Sequence, residues 1–138
     1  MLEGKEDYSG AKMAYRQALT ASVGLYGEKH LDTASTRIKL GRVLVSEQEY
    51  DAAEEEFRKA VSAREESLGS EDLLKAEAYS LLGTVLSRKG DFEGALAEHQ
   101  KALAIRQEQL GESHADVIAS KKHVADASEG KQEDEIEM

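Results

Sequence analysis

The residues of this 138-residue chain with the richest chemistry are its four histidines, His30, His99, His114 and His123. Imidazoles bind zinc or copper and move protons near neutral pH, but each needs company: further ligands for a metal, or a nucleophile and an orienting carboxylate for catalysis. The sequence supplies no such company at a recognisable spacing. Cys is absent, which removes thiolate ligands, thiol nucleophiles and disulfides together. No glycine-rich phosphate loop, His-Glu-x-x-His helix or nucleophile elbow occurs, and Ser residues fall mainly on small-residue or polar faces. His30 and His114 share one column of an internal repeat and read as capping or packing residues, whereas His99 and His123 stand alone. The expectation is a chain with no catalytic, cofactor-binding or metal site, and hence not an enzyme.

The elements that hold these residues are set by a period. Gly27, Gly69 and Gly111 lie 42 residues apart, and so do Tyr8, Tyr50 and Phe92. The same spacing relates Ala11, Ala53 and Ala95; Ala18, Ala60 and Ala102; and Leu19, Val61 and Leu103. Leu40-Gly41 recurs as Leu82-Gly83, and Val43-Leu44 as Val85-Leu86. Inside one unit Ala53, Phe57, Ala60, Val61 and Arg64 step by three and four, which is helical spacing. Each unit therefore reads as two helices, with first helices over about 33–46 and 71–88, second helices over about 50–67 and 92–110, a second-type helix at 8–25 and a first-type helix at 113–127. Aromatic content of 5%, no Trp and no Pro fit helices packed through Ala, Leu and Val, with breaks made by Gly and polar caps. A helix-interior Gly costs about 1 kcal/mol against Ala unless close packing offsets it. Gly41 and Gly83 are expected to face Ala53 and Ala95.

On Leu40-Gly41 with Ala53, Phe57 and Ala60, on Leu82-Gly83 with Ala95 and Ala102, and on Ala11, Tyr15 and Ala18, residues 6–127 resemble the tetratricopeptide repeat family. The 42-residue period exceeds the ~34 of the ordinary repeat, and with the turn Leu110-Gly111-Glu112-Ser113-His114 it is most similar to the kinesin light chain subtype. The resemblance implies an all-α, right-handed α-solenoid of antiparallel helix pairs, about six helices in all. Its domain occupies 1–127: a half repeat at 6–27, repeats at 33–69 and 71–111, and a C-terminal helix at 113–127. The sequence departs from the family in lacking the usual Pro, in carrying His30-Leu31 and His114-Ala115 where the subtype has His-Pro, and in placing His99 in an aromatic column.

The family's inner surface is made by the first helix of each pair, and the matching positions are Ser35, Ile38, Lys39, Arg42, Val45 and Ser46. Glu77, Ser80, Leu81, Thr84, Ser87 and Arg88 follow from the next unit, and Ala119, Lys122 and His123 from the last helix. Such a concave groove is expected to take a peptide segment of a protein partner, with Arg42, Arg88 and Lys122 meeting its acidic groups. The Asn residues of the family's carboxylate clamp and of kinesin light chain cargo grooves are absent, since the chain contains no Asn. The second expectation is an assembly subunit. Tyr8, Ala11, Met13, Tyr15, Ala18 and Leu19 lie on a first helix with no preceding partner, and solenoid units bury their faces only against neighbours. Homo- or hetero-oligomers would form there; the alternative reading of the same face is that the chain is a fragment of a longer repeat array.

With Lys+Arg 18 against Asp+Glu 28, the net charge of −10 repels phosphate backbones and anionic bilayers, which argues against nucleic-acid and membrane partners. No apolar run approaches the roughly 20 residues of a membrane span. Met1-Leu2-Glu3-Gly4 has no signal-peptide layout, so a soluble, cytoplasmic protein is expected. Glu54-Glu55-Glu56 and Glu65-Glu66 read as solvated faces paired with Lys and Arg, and the acidic segment 128–138 as a flexible tail, with a basic partner as the sharper alternative.

Overall fold

Six helices account for almost all of the residues that the computed structural model describes, 5–69 and 72–131, and no strand occurs among them. They are α1 (Lys5–Tyr26), α2 (Leu31–Ser46), α3 (Tyr50–Ser67), α4 (Leu73–Arg88), α5 (Phe92–Leu110) and α6 (Ala115–Ser128). Expected and observed spans coincide for α3 and α5. Glu71, placed at the start of the fourth helix by the repeat, and residues 132–138 of the acidic segment lie outside the described residues. The chain divides into two compact units, Met1–Ser67 and Leu68–Met138. In the first, α2 packs against both α1 and α3; in the second, α5 packs against both α4 and α6.

The helices begin where one repeat column supplies an acceptor for an otherwise unpaired backbone N–H. His30 Nδ1 accepts from Asp32 N at 3.0 Å, Asp72 Oδ1 accepts from Leu74 N at 2.8 Å, and His114 Nδ1 accepts from Asp116 N at 3.0 Å. The capping role read for His30 and His114 is thus the one the structure shows. The turns after α1 and α5 use Gly27 at φ 93° and Gly111 at φ 88°, left-handed conformations that glycine takes without strain.

Apolar stripes fill each unit: Ala34, Leu40, Leu44, Phe57 and Ala60 in the first, Leu82, Val85, Ala95, Ala102 and Val117 in the second, all buried. The expected glycine partners are corrected here. A Cβ on Gly41 would lie 2.4 Å from Cε1 of Phe57, and one on Gly83 would lie 2.8 Å from Nε2 of His99. The close approach is to the ring one helical turn beyond Ala53 and Ala95, because the ring, not the methyl, reaches across to the facing backbone.

A buried cation ties the first unit together. Arg37 of α2 donates to Glu56 of α3 at 2.8 Å and to Glu28 in the turn before α2. The same repeat columns pair Lys121 with Glu112 at 2.6 Å in the second unit.

Candidate functional site

α2 carries one solvent-facing polar stripe. Ser35, Lys39 and Ser46 are exposed and Arg42 half-buried, and steps of four, three and four residues place all four on one face. The neighbouring Ile38 and Val45, expected beside them on the binding surface, are instead buried core residues, 3% and 1% exposed. Position along the helix decides this, since a residue one step from the stripe turns by about 100°. The equivalent stripe of α4 is Glu77, Leu81, Thr84 and Arg88; Glu77 and Arg88 are half-buried, whereas Leu81, Thr84 and the adjacent Ser80 and Ser87 are buried. Of the expected surface residues in the second unit, Lys122 is the exposed one, and it pairs with Asp126 at 3.2 Å. The expected lining set therefore separates into a polar surface stripe and a set of core residues.

The residues expected to form an assembly surface lie on α1. Met13 is 64% exposed and Tyr8 36%, while Ala11, Tyr15 and Leu19 are half-buried. Ser9, Lys12, Met13, Arg16, Gln17 and Thr20 line an open depression of about 370 Å³ along this helix. Lys12 is anchored at its edge, donating to Glu47 at 2.5 Å and Glu49 at 2.7 Å. Those hydrogen bonds raise the Lys12 ammonium above its ordinary value, and the bond from Lys12 lowers the Glu49 carboxyl.

The acidic runs are matched by cations: Glu54 with Arg58 at 2.8 Å, Glu55 with Lys59 at 3.6 Å, and Glu66 with Lys29 at 2.5 Å. Glu55, Glu65 and Glu66 lie on solvated faces as their spacing indicates, but Glu54 and Glu56 are half-buried and Glu56 is held by the buried Arg37. His99 and His123, isolated in sequence, meet in the second unit with ring centroids 4.9 Å apart and planes 22° from parallel. No repeat column links them, since they lie 123 − 99 = 24 residues apart against a period of 42. Stacked rings do not converge lone pairs on one point, and no group of three or more His, Cys, Asp or Glu able to hold a metal ion occurs among the described residues. No helix among them is long and apolar enough to cross a membrane.

A family model described as tetratricopeptide repeat matches residues 1–66, 32–108 and 74–136, which together span nearly the whole chain. Among solved structures, the chain is similar to the crystal structure of BtubC (BKLC) from P. vanneervenii, with a TM-score of 0.82 and 22% sequence identity. The match covers 91% of this chain and 50% of that chain, so the sequence spans about half the length of this neighbour. A search of curated proteins finds no match. The neighbour agrees with the helix order in making the fold an all-α solenoid.

Proposed function

The chain belongs to the tetratricopeptide repeat family, whose repeats generally mediate protein–protein interaction, and from that premise we propose that it is a scaffold that captures a peptide segment of a partner on its first-type helices. The observation that carries this reading is the stripe Ser35, Lys39, Arg42 and Ser46: two cations flanked by short hydroxyl side chains along a helix face. Hydroxyls give hydrogen bonds to a peptide backbone, and cations give charge-assisted bonds to carboxylates. The ligand class is an acidic peptide. On the second unit's own surface Arg88, at one half-buried end of the α4 stripe, supplies a further cation, whereas Glu77 at the other end repels acidic groups.

The test is selection from a displayed peptide library, followed by fluorescence anisotropy with the enriched peptides. Lys39→Glu together with Ser35→Glu changes two exposed positions and leaves the core intact. Acidic enrichment and an affinity loss of tenfold or more in this variant, at unchanged helicity, are expected. Undiminished binding would refute the stripe as the site.

A second reading is an assembly subunit that docks through α1. It is favoured by the exposure of Met13 and Tyr8 on a helix that packs on one neighbour, α2. Tyr15→Glu is expected to dissolve such an assembly in light scattering while leaving peptide binding intact.

A further inference from the structure

The polar face of α2 follows repeat columns, and the column of Lys39 continues through Leu81 to His123, each 42 residues on. The three residues differ in charge. Lys39 carries an exposed ammonium and Leu81 is buried and apolar, whereas His123 is half-buried on α6 and brings an imidazole, a group that in water changes charge near pH ~6.5. Against it lies His99 of α5, fully buried, with ring centroids 4.9 Å apart and planes 22° from parallel. Of the two rings, His123 is the one that meets solvent and anything dissolved in it.

We propose that His123 is a proton-gated cation of the second unit's peptide surface: a carboxylate-binding imidazolium in mild acid and a neutral ring above it. The proposal rests on the reading of the first-type helix faces as an acidic-peptide surface and adds how that surface is regulated. A neutral imidazole has one donor and one acceptor, whereas the imidazolium donates from both nitrogens, so protonation turns a polar contact into charge-assisted donation to a carboxylate. His99 supplies the support. Its flat π face against a planar cation attracts that cation and fixes its orientation, so less side-chain freedom is left to lose when a ligand binds.

The charges around the pair come from three helices. On α6, Asp126 stands one turn after His123 and is held by Lys122 at 3.2 Å, while Lys121 reaches Glu112 at 2.6 Å. On α5, Glu98 pairs with Lys101 at 3.4 Å, and Arg106 donates at 2.8 Å to Ser120, one turn before His123. On α4, which packs against α5, the half-buried charges are Lys75, Glu77 and Arg88. The carboxylates nearest in sequence, Glu98 and Asp126, are therefore each matched by a lysine, and Arg106 adds a cation one helix away. The other two imidazoles, His30 and His114, already serve as acceptors at helix starts.

The experiment titrates rhodamine-labelled hexa-aspartate, ionised throughout the range, into the chain at pH 7.5 and 5.5 and reads fluorescence anisotropy. Affinity is expected to rise about threefold or more at pH 5.5. His123→Phe, which keeps a stacked ring but takes no proton, should lose most of that rise. His123→Arg, whose guanidinium stacks and stays charged, should bind at pH 7.5 as tightly as the unaltered chain does at 5.5. By reciprocity the peptide should raise the midpoint of the His123 Hε1 chemical-shift titration by about 0.5 pH unit for a threefold effect. A rise that survives in His123→Phe overturns the proposal, because the general loss of negative charge in acid then accounts for it. A midpoint that the peptide leaves in place does so too. Lys39→Glu with Ser35→Glu separates this from the parent reading. Undiminished binding by that variant, with the pH response lost in His123→Phe, sinks the α2 stripe alone; weakened binding, with the response kept in His123→Phe, sinks the proton gate alone. No binding at either pH overturns both.

Discussion

Gln48 is the one non-glycine residue with positive φ among those described, at 62°, in the turn between α2 and α3; the residue one repeat later is Gly90, at φ 87°. A side chain in the left-handed region costs about 1–2 kcal/mol, whereas glycine adopts it without that cost. Part of the gain is lost to the greater freedom of glycine in the unfolded chain. Gln48→Gly is expected to raise stability by about 0.5–1 kcal/mol, read as an increased urea midpoint at unchanged slope. Two helix-interior glycines give a sharper contrast. An added Cβ at Gly10 of α1 meets nothing within 4 Å, but at Gly41 it meets the Phe57 ring at 2.4 Å. Gly10→Ala should therefore stabilise by up to about 1 kcal/mol through helix propensity, while Gly41→Ala should destabilise by about 1–3 kcal/mol through overpacking. Combining Gly41→Ala with Phe57→Leu should recover part of the loss, which a double-mutant cycle reads directly. If both alanines act alike, steric approach is not what keeps glycine at 41.

At the scale of the element, the ion pairs of α2 and α3 are not equivalent. Arg37 is buried and holds Glu56 and Glu28, whereas Arg58 is exposed and pairs with Glu54 within one helix. Arg37→Ala removes two charge-assisted hydrogen bonds, each contributing about 1.5–3 kcal/mol, and leaves the half-buried Glu56 without its cation, but an exposed pair four residues apart contributes only about 0.3–0.5 kcal/mol. Arg37→Ala is expected to lower the thermal midpoint far more than Arg58→Ala. Comparable losses would show that Arg37 is as well hydrated as a surface residue. This element also marks where sequence reasoning reaches and where it stops. Helices α3 and α5 were legible to the residue because a 42-residue period repeats their apolar columns and their capping positions. Arg37 was not legible, because its column holds Arg, Tyr and Lys at 37, 79 and 121 and no single residue type recurs. The proposed stripe was half legible: helical spacing gathers Ser35, Lys39 and Arg42, which share an outward face of α2. Ile38 and Val45 went to the core, because a groove position and a core position differ by one step that periodicity alone does not resolve.

For the whole molecule, pH acts through a net charge of −10 and through two cross-element pairs. The Glu49 carboxyl is lowered from its ordinary 4.5, chiefly by the hydrogen bond from Lys12, and the Glu112 carboxyl is lowered chiefly by that from Lys121. A carboxyl whose value is depressed on folding contributes stability that is present above its unfolded value and is lost as pH falls through the folded one. Lys12 is raised from 10.5, chiefly by Glu47, so its contribution is complete below that value and disappears as pH rises through the folded one. The pairs therefore add a constant increment between about pH 6 and 9 and lose it on either side. Opposing this at acid pH, protonation of excess carboxylates relieves self-repulsion of the acidic chain. The two effects separate by substitution. Glu49→Gln and Glu112→Gln each remove one pair together with one charge, so their urea midpoints should converge on that of the unaltered protein as pH drops from 6 to 3. If repulsion dominates instead, both variants will be the more stable at pH 7, and the gap will again close on acidification but from the opposite sign. The sign at pH 7 thus decides whether local pairing or overall charge governs the acid limb of stability.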